Sequence, residues 1–193
     1  MALPLELSTH LGAQSIYCEG DGAPAELRGV AISADVGLRL DPRLAVFGGY
    51  EHVIDDSRSD RLAQGSLATG DAVAVGVRLF SSHDAPVALL LQIGLGYRWL
   101  RVPYDTGSPR LASGTDRFEG IEPLRLHVGP TIALGDHLHL DLLAGGALGR
   151  FRGEAHPETC AILGACKDSL LDSDTASSTH FVVELVAALR WGL

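Results

Sequence analysis

The sequence predicts an all-β fold: an eight-stranded antiparallel up-and-down transmembrane β-barrel with long loops at one end and short turns at the other. Three observations predict it. Apolar residues recur at every second position in eight separate segments. The connections between the segments are alternately long and short. The second parity of the segments is mostly Gly and Ala with isolated charges, not the Lys, Glu, Thr and Ser of a water-washed sheet. Strict alternation of this kind marks strands with two unlike faces.

The first segment, LPLELSTHLGA, sets Leu3, Leu5, Leu7, Thr9 and Leu11 against Glu6, Ser8, His10 and Gly12. RGVAISADVGLRL then sets Val30, Ile32, Ala34, Val36, Leu38 and Leu40 against Gly29, Ala31, Ser33, Asp35, Gly37 and Arg39. DPR at 41–43 is a tight-turn signal. The third segment pairs Leu44, Val46, Gly48 and Tyr50 with Ala45, Phe47, Gly49 and Glu51. The fourth has Val73, Val75, Val77 and Leu79 against Ala72, Ala74, Gly76 and Arg78, and SSHDAP follows as a short turn. The fifth alternates Leu89, Leu91, Ile93, Leu95, Tyr97 and Trp99 with Ala88, Leu90, Gln92, Gly94, Gly96 and Arg98. The sixth alternates Leu124, Leu126, Val128, Pro130, Ile132 and Leu134 with Arg125, His127, Gly129, Thr131 and Ala133. Proline cannot donate to a ladder, so an irregularity is expected at Pro130. After the GDH turn, the seventh has Leu138, Leu140, Leu142 and Ala144 against His139, Asp141, Leu143, Gly145 and Ala147. The last, FVVELVAALRWGL, sets Phe181, Val183, Leu185, Ala187, Leu189, Trp191 and Leu193 against Val182, Glu184, Val186, Ala188, Arg190 and Gly192.

Long connections are expected around 14–25, 54–69, 102–118 and 152–178, and short ones at 41–43, 81–86 and 135–137. An even strand number returns both termini to the short-turn end. One domain over 1–193 accounts for the pattern.

Composition narrows the function. A net charge of −9 argues against nucleic acid as a partner. Lys167 is the single lysine among fifteen basic residues. Water-facing strands normally carry several. Mean hydropathy is +0.18. Even so, no apolar run reaches the roughly 18 residues of a membrane helix. The start, MALPLELSTH, lacks the basic and apolar regions of a secretion signal, so a mature chain with an added Met is expected.

Alternation alone cannot say which face points inward. A soluble lipocalin-like barrel, binding a ligand inside, hides its apolar face. A membrane barrel turns that face to lipid. Small residues suit the crowded interior of eight strands and would weaken strands on an outer surface. The inward charges then read as Glu6, Asp35, Glu51, Asp141 and Glu184 against Arg39, Arg78, Arg98, Arg125 and Arg190, a near-neutral lumen network. Buried charges must be paired, and the planar fork of Arg suits that task. Glu6 and Arg190 are expected to pair across the closing seam, and Glu184 to meet Arg125 or Arg98. Gln92, His10, His127 and Phe47 add bulk, so a wide channel is not expected. Tyr50, Tyr97 and Trp99 near the long-loop ends and Trp191 near the turns read as an aromatic girdle.

The last strand resembles the C-terminal signature of bacterial outer-membrane β-barrels, which alternates apolar residues outward and ends on an aromatic. Here the alternation and Trp191 are present, but the chain closes on Leu193. The whole pattern resembles the small barrels of the OmpA and OmpX type. That resemblance implies a bacterial outer-membrane location. It implies as partners the lipid bilayer, lipopolysaccharide and the outer-membrane insertion machinery, with the chain a monomer.

The remaining chemistry is thin. Cys160 and Cys166 flank AILGA in the longest loop, where an oxidising exterior favours a disulfide. Cys18 remains in the first long loop. No cofactor or metal is expected: the Cys spacing does not suit zinc, and His127 lies ~20 Å along the strand from His137 and His139. Asp55, Asp56 and Asp60, or Asp168, Asp172 and Asp174, read as solvated acids that could hold cations near lipopolysaccharide. Ser178, His180 and Glu184 share a face and raise the alternative of a lipid-modifying enzyme. Same-face positions four apart, however, are separated by ~13 Å, and no enzyme activity is expected. Ile162, Leu163, Leu170 and Leu171 make the loop 152–178 a candidate surface-partner site.

Overall fold

A computed structural model describes residues 4–19, 25–55, 68–82, 85–104, 114–155 and 174–193. Eight antiparallel strands close on themselves in sequence order: β1 (Leu5–Glu19), β2 (Ala25–Asp41), β3 (Leu44–Asp55), β4 (Ala68–Phe80), β5 (Val87–Tyr104), β6 (Gly114–Ala133), β7 (Leu138–Ala155) and β8 (Asp174–Gly192). β1 pairs with β8 to complete the ring, with Glu6 opposite Gly192 and Glu19 opposite Thr179. At the short-turn end the Leu193 amide donates to the Leu5 carbonyl at 2.8 Å.

The register determines the tilt. From Leu5 the paired positions run through Leu38, Val46, Val77, Ile93, Leu126, Gly146 and Val183 and return at Ser15. The walk closes ten residues further along β1. Ten rises of ~3.3 Å against eight strand spacings of ~4.7 Å give a tilt of about 40°. A barrel this narrow has room inside for side chains and little else.

The two parities separate as membrane physics requires. Leu185, Ile121 and Leu11 point outward and are 64%, 60% and 59% exposed, while Arg78, Arg98 and Glu122 point inward and are 0% exposed. The outer wall of β7 is uncharged from Leu138 to Leu148 and acquires charge only at Arg150. Those ten steps, at ~3.3 Å each and a tilt of about 40°, rise about 25 Å, the height of the apolar band of a membrane barrel. A soluble barrel with an apolar interior is thereby replaced by its inverse.

Several expectations are corrected. The strands run well into the segments read as long loops: β1 extends to Glu19, β5 to Tyr104 and β6 from Gly114. Cys18 therefore lies in β1, buried in the lumen, not in a loop. Pro130 does not disturb the register, since Val128 opposite Ala144 and Thr131 opposite Asp141 keep one offset. The irregularity falls at Pro123 instead. There β6 carries one extra residue against both neighbours, between Gly94 and Gly96 on β5 and between Leu148 and Arg150 on β7. Such a bulge reverses the inward parity of everything beyond it.

Candidate functional site: the ion-packed lumen

Inward side chains form two charged networks separated by a cavity. The lower network lies at the turn end. Arg39 donates from Nε to Glu6 Oε1 at 2.8 Å, and Arg190 Nη1 reaches the same oxygen at 3.3 Å. Arg190 also donates from Nε to Asp141 Oδ2 at 3.0 Å and from Nη2 to Thr131 Oγ1 at 2.9 Å. Arg78 donates to Asp35, whose Oδ2 lies 2.6 Å from His10 Nε2. The Phe80 ring lies under both Arg39 and Arg190, with Cζ to centroid distances of 4.4 and 4.9 Å. Phe47 lies under Arg78 at 4.7 Å. The flat faces of these guanidiniums are covered by aromatic rings while their edges are taken by carboxylates.

The upper network is built on Arg98. Its Nε donates to Glu122 Oε1 at 2.5 Å, and its Nη2 lies 2.8 Å from Glu51 Oε1 and 3.7 Å from Glu184 Oε1. Arg125 Nη2 donates to Glu51 Oε2 at 2.7 Å and to Glu184 Oε1 at 3.4 Å. His127 Nε2 sits 2.6 Å from Glu184 Oε2, and His180 Nε2 sits 3.3 Å from Glu122 Oε1. Gly96 gives this network its space: a Cβ there would meet Arg125 Cδ and Glu122 Oε2 at 3.1 Å.

Between the networks lies a cavity of about 70 Å³, lined by His10, Asp35, Phe47, Gln92, His127 and Leu143 among others. A volume of that size and polarity suits a few water molecules. Above the upper network the lumen turns apolar. Ile16, Cys18, Leu27, Leu100, Val102, Phe118, Ala147, Phe151 and Val182 form one buried cluster at the loop end. His180 lies stacked on Phe151 there, with ring centroids 3.8 Å apart. Gly149 makes room for it, because a Cβ would stand 2.5 Å from His180 Cε1.

All ten residues of the charge network named from the sequence point into the lumen, and Arg39 is the most exposed of the salt-bridged arginines among them, at 14%. Glu6 and Arg190 meet at 3.3 Å, and Glu184 contacts both Arg125 and Arg98, though His127 is its nearest partner. Sequence reasoning missed Glu122. Counted back from Arg125 by twos, position 122 falls on the outer face; the bulge at Pro123 brings it inside. Pro123 itself was the available signal, because proline in a strand marks an irregularity. With Glu122 counted, the lumen holds six carboxylates against five arginines among the described residues, and His10, His127 and His180 lie beside those carboxylates. The apolar cluster was missed too: Ile16, Cys18, Val102 and Phe118 lay in segments read as loop, although Ala147 and Val182 stood in segments read as strand.

The four aromatics of the girdle reading lie on the outer wall. Trp191 is outward at the turn end, opposite Leu138 on β7 and Leu7 on β1. Tyr97 and Trp99 meet edge to face, centroids 4.9 Å apart. Tyr50 sits mid-strand, and its hydroxyl donates upward to Asp71. Cys160, Cys166, Asp56, Asp60, Asp168, Asp172 and the apolar residues Ile162, Leu163, Leu170 and Leu171 lie outside the described residues. Ser178, His180 and Glu184 do not converge: His180 contacts Glu122, whereas Glu184 contacts His127 and the arginines.

An uncharged outer band around an ion-paired interior defines the class: a transmembrane β-barrel of the bacterial outer-membrane type, with lipid against its outer face. Comparison with known proteins agrees at the level of fold. The chain is similar to neisserial surface protein A (NspA), with 12% identity, a TM-score of 0.58 and coverage of 97% of this chain and 96% of that one. It is similar to the attachment invasion locus protein Ail of Yersinia pestis, with 12% identity, a TM-score of 0.51 and coverage of 99% and 100%. The outer membrane protein AlkL, solved in lipid bilayers, gives 13% identity, a TM-score of 0.53 and coverage of 99% and 91%. Neither a protein-family model nor a curated protein matches the sequence.

Proposed function

We propose that the chain is a non-enzymatic, monomeric integral barrel with a plugged polar lumen, serving a structural role or surface recognition through its long loops. The observation that carries this reading is the pair of ion networks. Each spans the barrel from several strands, and Arg78, Arg98 and Glu122 within them are wholly buried. Moving an ion past either level means breaking buried pairs, which costs several kcal/mol per group. The loop 152–178 is the candidate contact for a surface partner, and lipopolysaccharide and the insertion machinery are the partners that the location implies. Against catalysis, His180 is buried and stacked on Phe151 beside the apolar cluster.

The test is conductance in planar bilayers. Purified, refolded chain is expected to give no steady large-bore current. Replacing Arg98 and Glu122 together with alanine is expected to raise baseline leakage. A sustained large current from the unaltered protein would overturn the plug. Incubation with phospholipid or lipopolysaccharide and mass spectrometry of the products checks the non-enzymatic part; turnover lost in His180→Ala would reverse it.

A further inference from the structure

The two faces of the sheet exchange character along the strands. In the lower half of β7, Asp141 points inward between Leu140 and Leu142; further up the strand, Phe151 points inward between exposed Arg150 and Arg152. On β6, Arg125 is inward between Leu124 and Leu126, whereas Phe118 is inward between exposed Arg117 and Glu119. On β5, inward Gln92 gives way to inward Leu100 and Val102, with Arg101 outside between them. On β2, inward Asp35 gives way to Leu27, beside exposed Arg28. The loop end thus has the polarity of a water-soluble barrel, charged outside and apolar inside. It stands on a membrane barrel of the opposite polarity. Its outward arginines place it at or beyond the edge of the hydrocarbon, because arginine on the lipid side of a membrane strand is destabilising.

Water decides what the apolar interior does at that level. The cluster draws side chains from β1, β2, β5, β6, β7 and β8, and Leu27, Val102 and Phe151 within it are wholly buried. It therefore crosses the lumen from most of the ring. Below it the lumen is hospitable to water. Asp35 and Gln92 line the cavity, and Asp35 Oδ1 and Gln92 Nε2 are buried there without a hydrogen-bond partner among the described residues. Polar groups of that kind hold water. The ion networks resist the passage of ions but are themselves polar. An apolar constriction excludes water as well, because water confined in it loses hydrogen bonds. We propose that the loop-end apolar cluster is the lumen's watertight seal, a layer separate from the ion networks below it. The inference rests on the plugged-lumen reading and assigns the exclusion of water-borne solutes on the loop side to the apolar layer.

Cys18 is a built-in reporter, wholly buried within the cluster at an inward position of β1. The full refolded chain in neutral detergent is treated with a small charged methanethiosulfonate, and peptide mass spectrometry reads Cys18 apart from Cys160 and Cys166. Heat-modifiable migration is checked in every sample, so an unformed barrel is read separately from an open seal. Labelling of Cys18 in the folded chain is expected to be at least about a hundredfold slower than in the urea-unfolded chain. Val102→Thr keeps the side-chain volume and adds a hydroxyl, and is expected to speed labelling about tenfold. Phe118→Ser removes a ring from the layer and should speed it further. Asp141→Asn alters the lower network and is expected to leave the rate within about twofold. Bilayer current reads the plug and thiol labelling reads the seal, so either reading can fail alone. Three results would each overturn the proposal: Cys18 labelled as fast in the folded chain as in urea, unchanged labelling in the folded Val102→Thr and Phe118→Ser variants, or an equal rise in Asp141→Asn.

Discussion

Glu122 shows how much a single buried carboxylate does. It holds Nε of Arg98 at 2.5 Å, contacts His180 at 3.3 Å and lies 3.5 Å from Nη1 of Arg125. Removing one partner of a buried pair leaves the other charge desolvated, a loss of about 3–5 kcal/mol. Glu122→Leu is therefore expected to lower unfolding stability in lipid vesicles, towards about 3 kcal/mol because Glu51 still engages Arg98. Urea titration of the vesicle-embedded protein measures it. A change near zero would show that Glu122 is not part of the network that holds the barrel. Among the described residues, ten of the eleven inward carboxylates and arginines could be named from the sequence, because they fell on a parity that ran unbroken through their segments. Glu122 alone required knowledge of the backbone.

At the scale of elements, β6 carries a device that the alternation hides. Glu122 and Arg125 both point inward although they are three residues apart, because Pro123 is accommodated as an extra residue. Deleting Pro123 would restore simple alternation, with Glu122 and Arg125 still inside. That variant is expected to retain heat-modifiable migration. Deleting His127 is expected to abolish it. The shortened strand would rotate Arg125 onto the lipid-facing wall, where a mid-membrane arginine costs about 2–4 kcal/mol, and would remove a ligand of Glu184. Loss of folding in both variants would count against the bulge as a local accommodation. Strand existence was legible throughout, since eight alternating segments matched eight strands. Strand length was not. The loop-end extensions of β1, β5 and β6 carry inward Cys18, Val102 and Phe118 in stretches whose polar outward residues resemble loop. Position relative to the membrane edge, not local pattern, makes them strands.

At the scale of the whole molecule the decisive quantity is the sign of the radius: which face of the sheet lies outside. Leu185 is the sharpest probe, outward and 64% exposed near the middle of the uncharged band. Leu185→Arg is expected to destabilise the vesicle-embedded barrel by about 2–4 kcal/mol, read by urea titration. On the outside of a soluble barrel the same substitution would be neutral or favourable, so an unchanged midpoint would overturn the membrane orientation. The chain's own polar composition already pointed to this answer. Glycine and alanine at inward positions make a narrow lumen fillable, and arginine rather than lysine makes it pairable.

The sequence by itself determined the strand number, the meander and the direction of the apolar face, because each depends on side-chain period and type, which are local properties. Only the tertiary structure decided the division of the lumen into two ion networks, a cavity and an apolar cap, and the inward turn of Glu122. Those depend on a shear of ten residues and one bulge. Register between strands arises from the closure of the whole ring, and no single segment encodes it.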